Sequence, residues 1–427
     1  MADHGFRKAL PDLVAQGLIR AGQAERIRAH YAPTDDQRTG RQTLLFSVLG
    51  GLLIGLGVVL VVAHNWDDLG TTLQTVLAFL PMALGQVLCA WVLLKREASA
   101  GWREGSALFL SGAVAAAIAL VAQIHHIPGD LARFLLTWSV LLLGVVYALR
   151  SFTTALLMLV LLTWYAGVDR FGEHVFGDRP WAYLVLLAAL LPFLWGWLRD
   201  HTRSVSTFWL ALLTALSMAY VSQLFLTWRD LSAWSLLYPT ALAGAFTLVP
   251  VLAGERGDRL RAFRGVGISG LLLVLFFFSW SDLWKEVVDE PLPAADVAPL
   301  GVALALYGAA YLAARRLRRP FSGNLFPEVP LIFLPIVVIA NFSPGLAAVL
   351  VNLLLLALGI LTTRRGIAEG SLLGMNTGLF ILAVTIAMRF LDLELSYALR
   401  GLLFIGIGAL FLGMNLWLVR QRRSRHA

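Results

Sequence analysis

The sequence predicts an all-α fold, a polytopic bundle of transmembrane helices preceded by a small helical pair. The chain is 59% hydrophobic and 14% charged, whereas ordinary soluble domains carry about 25% charged residues. From Leu44 onwards it forms a series of apolar runs of about 17–22 residues, which matches a hydrocarbon core of roughly 30 Å. The runs are continuous rather than alternating, so helices are favoured over a closed barrel.

Residues 1–43 are predicted to form a cytoplasmic helical segment and linker. Leu10, Leu13 and Val14 have helical spacing, and a second amphipathic run begins at Ala24. The segment is too small to be a catalytic domain. We expect it to pack on the membrane surface, on cytoplasmic loops or on a protein partner.

Residues 44–420 are predicted to form the transmembrane domain, and residues 421–427 a basic cytoplasmic tail. The eleventh and twelfth spans are separated by a very short turn, so this pair, 329–362, could instead be a re-entrant hairpin. The fourteen predicted spans are 44–63, 72–94, 105–124, 131–149, 152–168, 181–198, 207–227, 233–253, 265–284, 297–314, 329–343, 345–362, 371–388 and 398–419.

The distribution of basic residues predicts that both termini are cytoplasmic. If the N-terminus is inside, the inner segments hold 27 of the 34 Lys and Arg residues and the outer segments hold seven. This bias follows the positive-inside rule. The net charge of +8 is therefore interpreted as a topology signal, and no nucleic-acid partner is expected.

Aspartate followed by leucine recurs where the chain re-enters the membrane on the predicted outer side. Aromatic rings sit well at the headgroup level, and an aspartate just before a helix can accept bonds from its free N–H groups. We therefore interpret these residues as interface anchors and helix caps; the alternative is a ring of outer carboxylates that a cationic ligand could use. The anchor residues are Trp66, Trp228, Asp230, Trp280, Asp282 and Asp392.

Two of these turns suggest an internal repeat. Residues 118–138 align without gaps on 218–238, and Gln123 and Asp130 match Gln223 and Asp230. The offset spans four helices, so both copies would have the same orientation. Parallel repeats of this kind occur in some transporters.

The densest polar cluster lies at the predicted outer ends of the first and third spans. Histidine titrates near neutral pH and can bind metal, but adjacent histidines on a helix lie about 100° apart and chelate poorly. No metal and no cofactor are therefore expected; the alternatives are interfacial polar residues bonded to loop backbone, or a proton-coupling or substrate site. The cluster consists of His64, Asn65, Asp67, Asp68, Gln123, His125, His126 and Asp130.

A few polar side chains fall within the spans themselves. A polar group in lipid is costly, so we expect these residues to face the interior of the bundle. They would either bond one helix to another or line a substrate path. They are Gln74, Gln86, Asn352, Asn376 and Asn415.

The N-terminal helical pair, the Gly-rich first span ending in Ala63–Trp66, and the later Gln123–Asp130 segment resemble a family of predicted bacterial membrane proteins. The family is known as domain of unknown function 2157, and the likeness covers roughly residues 8–165. The resemblance implies a multi-pass protein of the bacterial inner membrane. It transfers no activity to any residue.

Three functions remain open on the sequence alone. The number of helices and the suggested repeat favour a transporter or flippase of a small or lipid-linked substrate. One alternative is a membrane-embedded enzyme acting on envelope or lipid precursors, with Asp68, His125 or His126 as acid or base. The other is a membrane sensor or assembly scaffold that uses residues 1–43 as its contact. We favour a protein that is not an enzyme.

Overall fold

The structure is a computed structural model, and it describes residues 66–172, 177–200, 205–227, 231–317 and 325–392, together with Gly17, Arg20, residues 22–25, Val175 and Ile405. These residues form helices, turns and bends and no strand, so the predicted all-α fold is confirmed for them. The first predicted span, 44–63, lies outside the described residues, as does the last, 398–419, apart from Ile405.

The described part of the chain holds thirteen α-helices and four short 3₁₀ segments. The 3₁₀ segments are Trp66–Asp68, Ala233–Leu236, Gly254–Leu260 and Phe326–Glu328. The helices are α1 (Thr71–Lys95), α2 (Ala100–Ile124), α3 (Leu131–Leu149), α4 (Phe152–Phe171), α5 (Trp181–Asp200), α6 (Val205–Gln223), α7 (Leu237–Ala253), α8 (Arg261–Phe277), α9 (Ser281–Val288), α10 (Ala294–Arg316), α11 (Val329–Ala340), α12 (Pro344–Ala368) and α13 (Leu372–Asp392).

Ten of the described helices are long and apolar enough to cross a membrane, which makes the chain a membrane protein with many spans. They are α1 to α5, α7, α8, α10, α12 and α13. Helices α6 and α11 are not among them, and the two terminal spans are not described. The predicted number of fourteen spans is therefore not confirmed.

The chain divides into two compact units, Met1–Leu77 and Ala78–Ala427. In the first, residues 22–25 form one helical turn. The Gln74 side chain there donates from Nε2 to the Trp66 carbonyl oxygen at 2.7 Å. This bond ties the 3₁₀ turn at Trp66–Asp68 to the start of α1.

The core of the second unit is built around α7, which contacts α6, α8, α10 and α11. One cluster of buried apolar residues extends from Leu226 to Ile381, and another from Ala132 to Phe225. Large apolar side chains nonetheless remain on the outside of the bundle, as at Leu94, Val185 and Leu373, which are 81%, 68% and 80% exposed. Exposed apolar surface of this kind marks a membrane or protein contact, and on helices long enough to span a bilayer it indicates lipid.

Successive long helices run in alternating directions, so their turns gather at two ends. We call them the Asp130 end, which holds the turns after α2, α4, α6 and α8, and the Arg150 end, which holds the turns after α1, α3, α5 and α7. At the Arg150 end the Arg259 guanidinium donates to the Leu198 carbonyl oxygen. At the Asp130 end Arg170 Nε donates to the Leu224 carbonyl oxygen at 3.0 Å.

The start of α4 is capped from another helix, by Glu104 of α2. Its carboxylate accepts bonds from the backbone N–H groups of Phe152 and Thr153, each at 3.0 Å, and from the Ser151 hydroxyl at 2.6 Å. Helix N-termini leave N–H groups without an intrahelical partner and carry partial positive charge. The carboxylate satisfies both demands and joins α2 to α4 at the Arg150 end.

The predicted span 265–284 is wrong as a single helix, because the chain breaks between α8 and α9. The Ser279 carbonyl oxygen in the break accepts bonds from Asn352 Nδ2 at 2.9 Å and from Arg389 Nη2 at 2.8 Å. The Phe278 carbonyl oxygen accepts one from Trp284 Nε1 at 2.7 Å. These donors replace the helical partners that an unbroken helix would supply.

Helix α11 is too short to cross a membrane on its own, since its 12 residues rise about 18 Å. The Pro327 carbonyl oxygen just before it accepts a bond from the Tyr307 hydroxyl at 2.6 Å. Tyr307 lies nine residues, about 14 Å, before the last residue of α10. The α11 segment therefore begins inside the bundle, well short of the Arg150 end, and α12 alone has full length.

Glycines bring α12 and α13 into backbone contact. A Cβ on Gly378 would overlap the Thr363 backbone and side chain, and one on Gly366 would overlap Met375. Gly374 and Gly378 are four residues apart and lie on one face of α13, a spacing that lets two helices pack closely.

We predict that Gly378→Ala destabilises the protein by about 1–3 kcal/mol, because the added methyl group forces α12 and α13 apart. The matched control is Gly301→Ala in α10, where a Cβ meets nothing within 4 Å. Thermal unfolding in detergent can be followed with a thiol-reactive dye, since the single cysteine, Cys89, is buried. Equal unfolding midpoints for the two variants would contradict the close packing.

Candidate functional site

The turn between α2 and α3 carries four residues of the predicted polar cluster. Helix α2 ends at Ile124, and His126 has a left-handed backbone with φ 50° that turns the chain out of the helix. Gln123, His125 and His126 are exposed. Asp130 caps α3, since its Oδ1 accepts a bond from the Ala132 backbone N–H at 2.9 Å.

The other four residues of that cluster belong to the first unit. His64 and Asn65 lie outside the described residues, as does the side chain of Asp67. Asp68 is exposed at the end of the 3₁₀ turn. The eight residues therefore stay a predicted cluster. Within the described part of the chain, no group of three or more His, Cys, Asp or Glu residues could hold a metal ion.

The predicted anchors differ from one another in the structure. Trp66 is half-buried, while Trp228 and Asp230 lie outside the described residues. Trp280, not Asp282, occupies the N-cap position of α9; Asp282 lies in the first turn and pairs with Lys285 at 2.7 Å. Asp392 is the last residue of α13, and its side chain is not described.

A buried polar connection that the sequence did not reveal centres on Asp296, in the first turn of α10. Its carboxylate is fully buried and accepts bonds from the Thr227 backbone N–H at 3.0 Å and hydroxyl at 2.9 Å. Arg179 Nη2 lies 3.6 Å from its Oδ1 and donates to the Ala295 carbonyl oxygen at 2.6 Å. The connection joins the turns after α4 and α6 to α10. An acidic residue opening an apolar helix was the one available signal.

Asp169 and Arg170, at the end of α4, fix the same region. Asp169 is fully buried, and its Oδ1 accepts a bond from the Val175 backbone N–H at 2.8 Å. Arg170 reaches the Leu224 carbonyl oxygen in the turn after α6. The polar side chains at the Asp130 end thus hold turns and helix ends in place.

A cavity of about 690 Å³ lies between α6, α7, α8 and α9 at this end. Its lining on α8 extends from Val266 to Phe277, a rise of about 16 Å along the helix, which is roughly half of a hydrocarbon core. Leu273 and Phe277, four residues apart on one face of α8, are 59% and 55% exposed. The cavity therefore opens sideways between helices as well as at the membrane surface.

Polar side chains of the cavity are confined to its mouth. Ser222 and Gln223 end α6, and Glu286 and Glu290 lie on and just after α9. The deeper wall is apolar, with Ala243 and Gly270 as its small residues. An apolar chamber with a few polar groups at one end is the usual form of a ligand site.

A second, larger groove of about 820 Å³ lies between α4 and α6. Its walls include Trp164 and Phe171, which are 53% and 75% exposed, so it is a shallow surface feature. At its floor the Thr163 hydroxyl donates to Ser217 Oγ at 2.6 Å, and Tyr183 bonds the same oxygen at 2.8 Å. These hydroxyls bond one another between helices, so they are already paired, and the groove is shallow. The α6–α9 cavity is therefore the better candidate site.

The ten long apolar helices define the class as polytopic α-helical membrane proteins. The family model described as "Predicted membrane protein (DUF2157)" matches residues 11–155, which confirms the resemblance over that segment. The description names no activity. No curated protein and no solved structure matches the chain significantly.

We predict that Asp296→Ala destabilises the protein by about 3 kcal/mol or more, because it leaves the Thr227 N–H and hydroxyl without their acceptor and removes the carboxylate that pairs with Arg179. The control is Asp282→Ala, whose partner Lys285 is exposed, and which should cost about 0–1 kcal/mol.

A double-mutant cycle separates this role from a general loss of packing. In detergent unfolding, Arg179→Ala combined with Asp296→Ala should cost less than the sum of the single variants. Strict additivity would show that the two side chains are not coupled.

Proposed function

We propose that this protein is a carrier or flippase of the bacterial inner membrane for an amphiphilic small or lipid-linked substrate. The observation that carries the proposal is the α6–α9 cavity, about 690 Å³ in volume, which is polar at its mouth and apolar below it. An amphiphile needs both environments at once. The exposed side chains of Leu273 and Phe277 give its tail a route to and from the lipid.

The depth of the cavity supports movement of the substrate across the membrane. It reaches roughly the middle of a bilayer from one side, where carriers hold their substrates between alternating states. The break between α8 and α9 lies beside its mouth, and broken helices line the substrate sites of many transporters.

We also propose that the Arg150 end faces the cytoplasm. Basic residues are frequent there: Lys95 ends α1 and Arg96 follows it, and Arg315 and Arg316 end α10. This is the distribution that the positive-inside rule associates with cytoplasmic segments. The mouth of the cavity then opens toward the outer leaflet.

Transport can be tested in proteoliposomes that contain zwitterionic, anionic or cationic phospholipids with a nitrobenzoxadiazole label, with and without a proton gradient. Dithionite bleaches only the outer leaflet, so bleaching beyond that fraction measures lipid exchange. We expect the protein to accelerate exchange of at least one lipid class. Leu242→Trp, which places an indole in the cavity, should slow it about tenfold or more, a barrier increase of about 1.4 kcal/mol.

The matched control is Leu312→Trp, on α10. Leu312 is 59% exposed and does not line the cavity, so this variant should retain the native exchange rate. Exchange at the protein-free rate for every lipid class, in both gradient conditions, would overturn the proposed function.

A further inference from the structure

The mouth of the α6–α9 cavity is formed in part by one face of the short helix α9. Leu283, Glu286 and Val287 of α9 line the cavity, and residues spaced by three and four positions share one face of a helix. Glu290, two residues after the helix ends at Val288, lines the cavity as well. Together they present two apolar side chains and two carboxylates to the cavity.

The charge at the mouth is negative. Among the described residues that line the cavity, Glu286 and Glu290 are the charged ones, and no Lys, Arg or His accompanies them. The basic residue of α9, Lys285, is bonded to Asp282 at 2.7 Å and does not line the cavity. An entering ligand thus meets carboxylates that no basic group of the lining neutralises.

The rest of the chamber sets a second requirement. Apart from Ser222, Gln223 and the two glutamates, the lining is apolar, with side chains such as Phe246, Leu273 and Phe277. Such a wall gives no hydrogen bonds to a small hydrated ion, whose transfer from water would be strongly unfavourable. A ligand that carries its positive charge on a large apolar body satisfies both regions, and its aromatic groups could also pack against the phenylalanines.

We infer that the α6–α9 cavity selects amphiphilic organic cations, such as quaternary ammonium compounds or lipids with an amine head. The positive group lies between Glu286 and Glu290, and the apolar body extends along α7 and α8. The inference rests on the proposed function, since it names the substrate class of the same site. Binding alone can test it, whether or not transport is observed.

The test measures binding of radiolabelled tetraphenylphosphonium to the full-length protein in lipid nanodiscs, with empty nanodiscs subtracted. Tetraphenylborate, of nearly the same shape and opposite charge, is the matched ligand. Glu286→Gln and Glu290→Gln should each weaken binding of the cation about threefold, and the double variant about tenfold. Raising the salt concentration should weaken binding to the native protein and have less effect on the double variant.

The matched control variant is Asp289→Asn, which removes the same charge from the residue next to Glu290. Asp289 is exposed and does not line the cavity, so this variant should bind the cation as the native protein does. Both glutamate variants change exposed side chains, so they should fold normally.

Three results would overturn the inference: equal binding of the borate anion, unchanged cation binding in the double glutamate variant, or an equal loss of binding in Asp289→Asn. Lipid exchange without charge-selective binding would leave the proposed function standing and remove this inference. Charge-selective binding without lipid exchange would support this inference and overturn the proposed function.

Discussion

Hydrocarbon offers no hydrogen bonds, and this constraint accounts for the arrangement of the polar residues in the bundle. At several helix ends and at the break between α8 and α9, a side chain from another element supplies the missing partner. Glu104 does so for the N–H groups of α4, and Asn352 and Arg389 do so for the carbonyl oxygen of Ser279. Asp296 does so for the turn at Thr227. Buried charge in this protein is thus mostly bound to backbone.

The same constraint explains why the long helices could be predicted from the sequence. A span must be about 20 residues and apolar throughout, and this local rule found α3 at its observed bounds, 131–149, and most other long helices within a few residues. The break between α8 and α9 could not be found in this way. Its donors, Asn352 and Arg389, lie 73 and 110 residues from Ser279 along the chain. No sequence pattern near residue 279 predicts these distant contacts.

The candidate site was harder to predict than the fold, because it depends on the order in which the helices pack. The sequence drew attention to histidines and aspartates in outer turns, and the described ones are exposed or cap helices. It also matched Gln223 with Gln123, and Gln223 lines the mouth of the cavity. Glu286 and Glu290 were not singled out, since acidic residues near a membrane surface are ordinary. Only the position of α9 beside α6, α7 and α8 places them at the mouth of the cavity.

Helices α7 and α8 pack closely at one point and also form part of the cavity wall. Gly267 lets α7 and α8 approach closely, since a Cβ there would meet the Ala243 carbonyl oxygen at 2.5 Å. Ala243 and Gly270 of the same two helices line the cavity. Tight helix contact and an open chamber thus lie side by side on the same pair of helices. Each of these features depends on lipid as the solvent of the outer faces.

The most direct test of whether lipid surrounds the outer faces is to measure how strongly oxygen and a nickel chelate relax nitroxide labels placed on them. With Cys89 replaced by alanine, single cysteines can be introduced at Val185, Leu306 and Leu353, which are exposed and apolar, and at Asp289 as the aqueous reference. In nanodiscs the first three labels should be relaxed more strongly by oxygen than by a nickel chelate, and the Asp289 label should show the reverse. If the chelate reaches Val185, Leu306 and Leu353 as freely as Asp289, these faces lie in water and the helices that carry them do not cross the membrane.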